Sequence, residues 1–392
     1  MSEWKRVKLG EVSLGIYDGP HATPAPCETP GPYFLGIPQI SPLGFIDMAS
    51  PRYIAERDYS TWTRRVVPQY GDVVFSYEAT LNLYALIPRD FRCCLGRRMG
   101  LVRPNPKKLD FQFLYYYFYS PEWRGTVREN TITGATVDRL SIAAFPSFKI
   151  ALPPLAIQRR IAAILSDYDA AIANCRKQIA LLEEAAMRLY REWFGDGKGK
   201  NWHEETAFDF CYIMSGGTPS TKHSEYYEGE IPFFTPADGH NVSCVLDTEK
   251  HLSSVGVSHC NSQLFPVGTI MVTARGTVGN VVYNAVPMAM NQSCYAIKPK
   301  DDCFCQLLLF VMLQNEMRQI KKAGSSGVFD AIKVETFKLL KLKVPNAELA
   351  SHCLKVFQPM YSQVEKLSLQ IRSLTEARDR LLPKLMKGEV EV

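Results

Sequence analysis

A repeated apolar pattern constrains this fold more than any other feature of the sequence. Within the stretch that opens with LPPLAIQRRIAAIL, apolar residues recur every three or four positions, which is the spacing of a coiled-coil seam. The seam consists of Ile161, Ile164, Tyr168, Ile172, Cys175, Ile179, Leu182, Ala186 and Leu189. It predicts one helix of about 40 residues, about 60 Å long, that reaches Phe194. A helix this long cannot leave its seam in water, so it needs a partner.

The C-terminus carries a second seam in the same register. Its positions are Cys353, Val356, Met360, Val364, Leu367, Ile371, Leu374, Arg378 and Leu381, each 192 positions after its counterpart. Prolines precede both helices, at Pro153 and Pro154 and at Pro345, where a missing N–H is tolerated. We therefore expect the two helices to pair antiparallel as a rod with a globular block at each end. The alternative is that each helix packs separately on its own block or on a partner.

The blocks ahead of the helices are also similar to each other. Trp4 corresponds to Trp202, and the stretches that match are GPYF with IPFF, GDVVFSYEATLN with GTIMVTARGTVGN, and TITGATVDRL with GSSGVFDAIK. A similarity at about half the chain length is most simply explained by duplication of a whole unit.

Each block is predicted to mix short strands with one or two helices. The predicted strands are 73–77, 100–103, 149–152, 270–274, 295–298 and 340–344, and the predicted helices are 111–119 and 303–322. The fold class is therefore α+β, with two pseudo-repeated α+β domains separated by a pair of long antiparallel coiled-coil helices. The predicted limits are 1–152 and 196–345 for the domains and 153–195 and 346–392 for the helices, with a Gly/Lys linker, GDGKGKN, at 195–201.

Composition excludes several classes of protein. The net charge is only +5, with most of the excess in the first block, which alone would not identify a nucleic-acid binder. No apolar run approaches the ~20 residues of a membrane span, and no secretory signal is visible, so we expect a cytoplasmic protein without a membrane partner. The 11 cysteines are scattered without a C-x-x-C pair, as expected for reduced thiols.

Catalytic and cofactor motifs do not emerge from the sequence. Neither phosphate-binding glycine pattern has the required spacing, and the usual hydrolase and metalloprotease motifs do not occur, so we expect no cofactor and no catalytic residues. One cluster combines His240, Cys244, His251, His259 and Cys260 within 21 residues. Its spacing lacks the closely paired ligands of a zinc site, so we predict no metal.

Polar loops are the better candidates for function, because they offer side chains that pair with base edges in a major groove. The candidates in the first block are His21, Tyr77, Glu78, Arg97 and Arg98. The candidates in the second block are Thr218, Ser220, Lys222, Asp238, His240, Arg275, Thr277, Asn291 and Gln292. Arg275 stands out as one of two arginines in its block, in a Gly-rich loop that allows close approach to a ligand. The alternative is that these loops are ordinary solvated turns.

The chain resembles the specificity subunits of type I restriction-modification systems. LPPLAIQRRIAAILSDYDAAI and EEAAMRLYREWF are similar to the central conserved helix of that family, and ARDRLLPKLMKGEVEV to its C-terminal end. IPFFTPADG, RGTVGN and MNQSCYAIKP are similar to motifs of its target recognition domains. The chain departs from the family at Ile157, where a glutamate is usual, and at VPNAELASHCL, where the second helix lacks the opening motif. The first block also lacks the Arg-Gly-Thr-Val-Gly pattern, so the two domains should read different bases.

This resemblance implies a non-catalytic protein that selects DNA sites for other subunits. Each domain would read one half of a bipartite, asymmetric target in double-stranded DNA, and the helices would set the spacing. Two methyltransferase subunits would dock along the helices, with Gln158, Arg159 and Arg160 as candidate docking residues, and ATP-dependent motor-nuclease subunits would join for cleavage. Two rival hypotheses are a coiled-coil scaffold whose globular ends do not bind DNA, and an enzyme, such as a nuclease, with an unfamiliar site.

Overall fold

A computed structural model of the chain describes residues 4–25, 27–48, 50–134, 137–195, 201–240, 242–323 and 331–392. The predicted linker at 195–201 falls outside these ranges except at its two ends, and most of the GSSGVFDAIK stretch falls outside them as well. No helix in the described ranges has the length and apolar character needed to cross a membrane.

The regular elements are short strands interspersed with helices. The strands are β1 (Lys5–Lys8), β2 (Ser13–Asp18), β3 (Tyr33–Leu35), β4 (Val73–Ser76), β5 (Tyr84–Leu86), β6 (Cys93–Leu95), β7 (Met99–Pro104), β8 (Lys149–Leu152), β9 (Trp202–Thr206), β10 (Cys211–Ser215), β11 (Ile231–Phe234), β12 (Cys244–Val245), β13 (His251–Leu252), β14 (Ile270–Thr273), β15 (Val281–Asn284), β16 (Ala289–Met290), β17 (Cys294–Pro299) and β18 (Lys341–Pro345). The α-helices are α1 (Tyr59–Trp62), α2 (Phe111–Tyr117), α3 (Pro121–Glu129), α4 (Leu155–Trp193), α5 (Ala207–Phe210), α6 (Ser254–Ser258), α7 (Gln306–Ala323), α8 (Val334–Leu339) and α9 (Ala347–Met386).

The chain divides into two compact units. Unit 1 comprises 1–171 and 374–392, and unit 2 comprises 172–373. Each unit therefore contains one globular block together with part of α4 and part of α9.

Unit 1 is built on a four-stranded antiparallel sheet in the order β2-β7-β4-β5. Side chains alternate across β4: Val73 and Phe75 face a core that contains α2, α3 and the long helices, whereas Val74 faces a second core on the other side. β1 pairs with β8, and β3 pairs in parallel with β6. Both faces of β4 are thus buried, which explains its apolar run from Val73 to Phe75.

Unit 2 repeats this arrangement with different side chains. Its main sheet has the order β10-β17-β14-β15-β12, β9 pairs with β18, and β11 pairs in parallel with β16 and antiparallel with β13. On β14, Ile270 and Val272 face the core that contains the long helices, and Met271 faces the opposite core. The strands that the two units share pair in the same order and direction, and unit 2 adds β12 beside β15 and β13 beside β11.

Backbone details confirm the internal repeat. Gly71 and Gly268 precede β4 and β14 with φ of +87° and +83°, a conformation that favours glycine. The Leu140 N–H donates to the carbonyl of Tyr77, just after β4, at 2.7 Å. The Ile332 N–H donates to the carbonyl of Ala274, just after β14, at 2.9 Å.

The first long helix, α4, has 39 residues and lies within the predicted limits of 153–195, whereas α9 has 40 residues and ends at Met386, before the predicted limit of 392. α4 follows Pro153 and Pro154 directly, whereas α9 begins after Asn346, whose side-chain oxygen accepts the Leu349 N–H at 2.9 Å and so caps the helix. The predicted seam positions are buried or half-buried along both helices.

Within each unit the two helices pack together in opposite directions. In unit 1, Ile161 and Leu165 share a core with Leu382 and Leu385, and Arg378 of α9 donates to Asp169 of α4 at 2.6 Å. In unit 2, the rings of Trp193 and Phe357 lie 5.4 Å apart, and both residues belong to the core that contains Tyr190 and Tyr361. The pairing is confirmed, and the alternative of separate docking is wrong.

Candidate nucleic-acid interface

In unit 1 the candidate loops meet at one edge of the main sheet. Asp18, the last residue of β2, lies opposite Gly100 of β7, and Ser76, the last residue of β4, lies opposite Met99. The ends of β2 and β4 and the beginning of β7 therefore share an edge. The loops that carry the five predicted side chains of this block extend from that edge.

Charged side chains at this edge form two ion-paired groups. Asp18 accepts from Arg65 Nη1 at 2.6 Å and contacts His21 Nε2 at 2.8 Å. Glu78 accepts from Arg98 Nε at 3.0 Å. Sequence reasoning missed Arg65, because it lies 47 residues from Asp18 with no local motif around it. The pairs orient the two guanidinium groups, and the side chains remain 38% exposed at Arg65 and 37% exposed at Arg98.

Tyr77 requires a correction, because it does not face solvent. Its side chain is 4% exposed, and its hydroxyl donates to the carbonyl of Arg97 at 2.9 Å. Burial raises the pKa of this hydroxyl to about 12. Tyr77 therefore supports the loop that presents the exposed Arg97 side chain and does not offer its own hydroxyl to a ligand.

In unit 2 the equivalent loops share the equivalent edge. Ser215, at the end of β10, lies opposite Tyr295, and Thr273, at the end of β14, lies opposite Cys294 of β17. The loops at 216–224, 274–280 and 291–293 thus emerge together, and a fourth loop follows β11 from Thr235.

Hydrogen bonds tie these four loops into one surface. The Thr218 hydroxyl donates to the side chain of Gln292, and the Asn291 N–H donates to the carbonyl of Phe234 at 3.0 Å. The Thr277 hydroxyl donates to the carbonyl of Pro236 at 2.9 Å, and Asn280 Nδ2 donates to the carbonyl of Gly239 at 3.1 Å. The loops that carry the nine predicted side chains of this block therefore lie next to one another.

These side chains fall into two groups. The exposed ones, which can meet a ligand, are Thr218, Ser220, Lys222, His240, Arg275 and Gln292. Three others are half-buried and make hydrogen bonds within this loop surface, and their role in binding stays a prediction. Asp238 accepts from the N–H and the hydroxyl of Thr235 and from the Glu249 N–H, Asn291 accepts from the Ser293 N–H, and Thr277 bonds as described above.

The two edges differ in charge at one matched position. Counting from Gly71 and Gly268, Glu78 of unit 1 corresponds to Arg275 of unit 2. Glu78 is ion-paired with Arg98, whereas Arg275 extends from a loop in which Gly276 and Gly279 have φ of +73° and +76°. One scaffold thus presents an acceptor in one unit and a donor in the other.

The beginning of α4 corrects another predicted role. Gln158 is 1% exposed: its Oε1 accepts the Asp110 N–H at 2.8 Å, and its Nε2 donates to the carbonyls of Pro153 at 2.8 Å and Lys108 at 3.1 Å. It therefore joins α4 to the beginning of α2 and presents no surface to a partner. Arg159 is exposed, and Arg160 Nη1 donates to a backbone oxygen of Val392 at 3.1 Å.

The histidine and cysteine cluster of unit 2 is dispersed in the fold. Cys244 is buried in β12, His251 lies 2.8 Å from a carboxylate oxygen of Asp247, and His259 stacks on Tyr226. Within the described ranges there is no group of three or more potential metal ligands.

Comparisons with known proteins agree with this architecture. The family model described as "Type I restriction modification DNA specificity domain" matches twice, at residues 44–184 and 199–370. The HindI specificity subunit of Haemophilus influenzae is 29% identical over 193 residues, which cover 49% of this chain and 42% of that protein. The putative MjaX specificity subunit of Methanocaldococcus jannaschii is 23% identical over 346 residues, which cover 82% of this chain and 79% of that protein.

Among solved structures, the S subunit of a type I restriction-modification system from M. genitalium superposes with a TM-score of 0.54 at 17% identity, covering 97% of this chain and 96% of that one. The superposition thus covers both repeated α+β domains and both long helices of this chain. The chain belongs to the type I restriction-modification DNA specificity family.

Proposed function

We propose that this chain is the DNA specificity subunit of a type I restriction-modification complex, and that each unit reads one half of a bipartite, asymmetric target. The observation that carries this proposal is the repeated loop edge with different side chains in its two copies. Arginine, lysine, glutamine and threonine pair with base edges in the major groove, and the same types also contact phosphates. Two edges with unlike chemistry favour two unlike half-sites over a palindrome.

The remaining subunits would supply the chemistry. We propose that two modification subunits dock on the long helices, and that ATP-dependent restriction subunits join the complex for cleavage. Arg159 supports this docking role, since it is exposed at the beginning of α4. With a net charge of only +5, the isolated chain is expected to bind DNA weakly and with strong salt dependence, because phosphate contacts dominate affinity.

The test is methylation profiling with the cognate modification subunits. The expected result is adenine methylation at one bipartite, asymmetric sequence, and a variant altered only in the unit 2 loops should change one half of that sequence. A pull-down that recovers modification subunits without site-specific methylation would favour the scaffold alternative. Metal-dependent cutting by the purified chain alone would favour the nuclease alternative.

The spacing role of the helices requires a separate experiment. α4 contributes residues to both units without interruption, so its length is a candidate determinant of the gap between half-sites. Insertion of whole helical turns between Ala170 and Ala180 should lengthen the permitted gap and leave both half-sites unchanged. Altered half-sites with an unchanged gap would contradict this division of labour.

A further inference from the structure

A carboxylate on α4 lies beneath the loop surface of unit 2. Glu183 accepts a hydrogen bond from the hydroxyl of Ser243, the residue that leads into β12. Ser243 is itself 5% exposed, and its carbonyl accepts the Tyr283 N–H at 2.8 Å. The side chain of Glu183 therefore joins the long helix to the end of the loop that follows β11.

The contact forms part of a polar cavity of about 330 Å³. Its lining includes Glu183, Ser243, Gly239, Asn280, Gln314 and Arg318. Gly239 and Asn280 belong to the loops that carry His240 and Arg275, and these loops are tied to each other by the bond from Asn280 Nδ2 to the Gly239 carbonyl. A shift at Ser243 would therefore be transmitted to both loops.

Keeping a carboxylate at this place costs free energy. Burial raises the pKa of Glu183, and the Ser243 hydrogen bond and the nearby Arg318 oppose that rise only in part. An apolar side chain of similar volume at such a site is often neutral or stabilising. The group is thus better explained by what it positions than by a contribution to stability.

Unit 1 anchors the corresponding loop by other means. The loop that follows β3 contains Gly44, whose carbonyl accepts the hydroxyl of Tyr115 from α2 at 2.8 Å. Gly44 has φ of +92°, and a Cβ there would lie 2.1 Å from that hydroxyl oxygen. In both units a helix side chain fixes the loop after the first strand of the parallel pair.

We propose that Glu183 is a positioning residue for DNA readout by unit 2: through Ser243 it holds the loop that follows β11, and with it the loop of Arg275, in the conformation that meets the bases. The inference rests on the proposed function, and it assigns to the helix a role in sequence choice that is separate from spacing.

The test compares Glu183→Ala, Ser243→Ala, the double variant that carries both changes, and Glu183→Gln in reconstituted complexes with the cognate modification subunits. Loss of one such hydrogen bond is expected to reduce discrimination against single mismatches in the unit 2 half-site about fivefold in either alanine variant, with no further loss in the double variant. Glu183→Gln retains an acceptor for Ser243 and should retain discrimination. Glu184→Ala, at the exposed neighbouring position of α4, is the matched control.

The inference would be overturned by unchanged discrimination in both alanine variants, by equal loss at both half-sites, or by equal loss in Glu184→Ala. Loss in Glu183→Gln as large as in Glu183→Ala would also overturn it, because the hydrogen bond would then not be the cause. Thermal unfolding identifies a variant that fails to fold, and Ser243→Ala and Glu183→Gln keep the test decisive in that case. Site-specific methylation absent already in the wild type would instead refute the proposed function.

Discussion

Replacement of Gln158 by alanine should destabilise unit 1. The side chain is 1% exposed and makes three hydrogen bonds, from the Asp110 N–H and to the carbonyls of Lys108 and Pro153. Truncation leaves these three backbone groups without that partner, at about 1 kcal/mol each, so we expect a loss of about 2–4 kcal/mol. For a domain of this size that corresponds to a fall in Tm of roughly 5–15 °C.

Urea unfolding measures the loss, and hydrogen exchange at the Asp110 amide reports it locally. Arg159→Ala, at the exposed neighbouring position, should stay within about 0.5 kcal/mol of the wild type. Gln158→Glu keeps an oxygen that accepts the Asp110 N–H, but it replaces the donor Nε2 with an oxygen that faces the carbonyls of Lys108 and Pro153. At neutral pH it should therefore be at least as destabilising as Gln158→Ala. Wild-type stability in Gln158→Ala together with lost binding of modification subunits would refute the reasoning and restore a docking role.

The second repeat offers the reciprocal change. Ala350 lies 192 positions after Gln158, and it lines a groove of about 630 Å³ whose wall includes Cys303, Cys305 and Pro345. Cys305 and Pro345 correspond in the repeat to Asp110 and Pro153. In Ala350→Gln the new side chain should therefore form some of the hydrogen bonds that Gln158 makes in unit 1. It should raise the free energy of unfolding of unit 2 by about 1 kcal/mol.

Three further predictions concern single side chains. Arg275→Ala should relax the target at one position of one half-site, a change of about 1–3 kcal/mol in discrimination, measured by binding to single-mismatch duplexes. Tyr77→Phe removes the hydrogen bond to the Arg97 carbonyl and should cost about 1 kcal/mol in thermal unfolding, with altered readout confined to the other half-site. Burial raises the pKa of Glu316, so its ionised form is disfavoured in the folded state at neutral pH. Glu316→Gln should thus raise the free energy of unfolding of unit 2 at pH 7. This gain should disappear when unfolding is measured at a pH below 4.5, the ordinary pKa of a glutamate side chain.

The long helices and the central strands could be predicted because their signals are local. A period of three to four residues set the seams, and β-branched runs placed β4 and β14 within a residue of their observed ends. The predicted helix from Phe111 to Tyr119 instead ends at Tyr117, and a second helix starts at Pro121, where a proline suits a first turn.

Side-chain roles at the site were less predictable. Tyr77 and Gln158 have polar groups that suit a ligand as well as a neighbouring backbone. Which of the two they meet depends on distant segments: Gln158 bonds to residues 48 and 50 positions away. Arg65 and Glu183 lack any local motif, because their partners come from other parts of the chain. Sequence pattern identifies polar loops, but tertiary pairing decides which side chains remain free.

Comparison of the two units distinguishes the contacts that hold the loops in place from the side chains that the loops expose. Strand pairing, the glycines before β4 and β14, and the backbone bonds of Leu140 and Ile332 recur in both units, and most of these contacts use backbone atoms. They therefore place few demands on the side chains at the sheet edge. Glu78 in unit 1 and Arg275 in unit 2 occupy matched positions. The sheet edge therefore accepts opposite charges while the strand pairing and the backbone hydrogen bonds stay the same. A duplicated unit whose loops are held mainly by backbone contacts can therefore carry different side chains in its two copies, which supports the proposed asymmetric target.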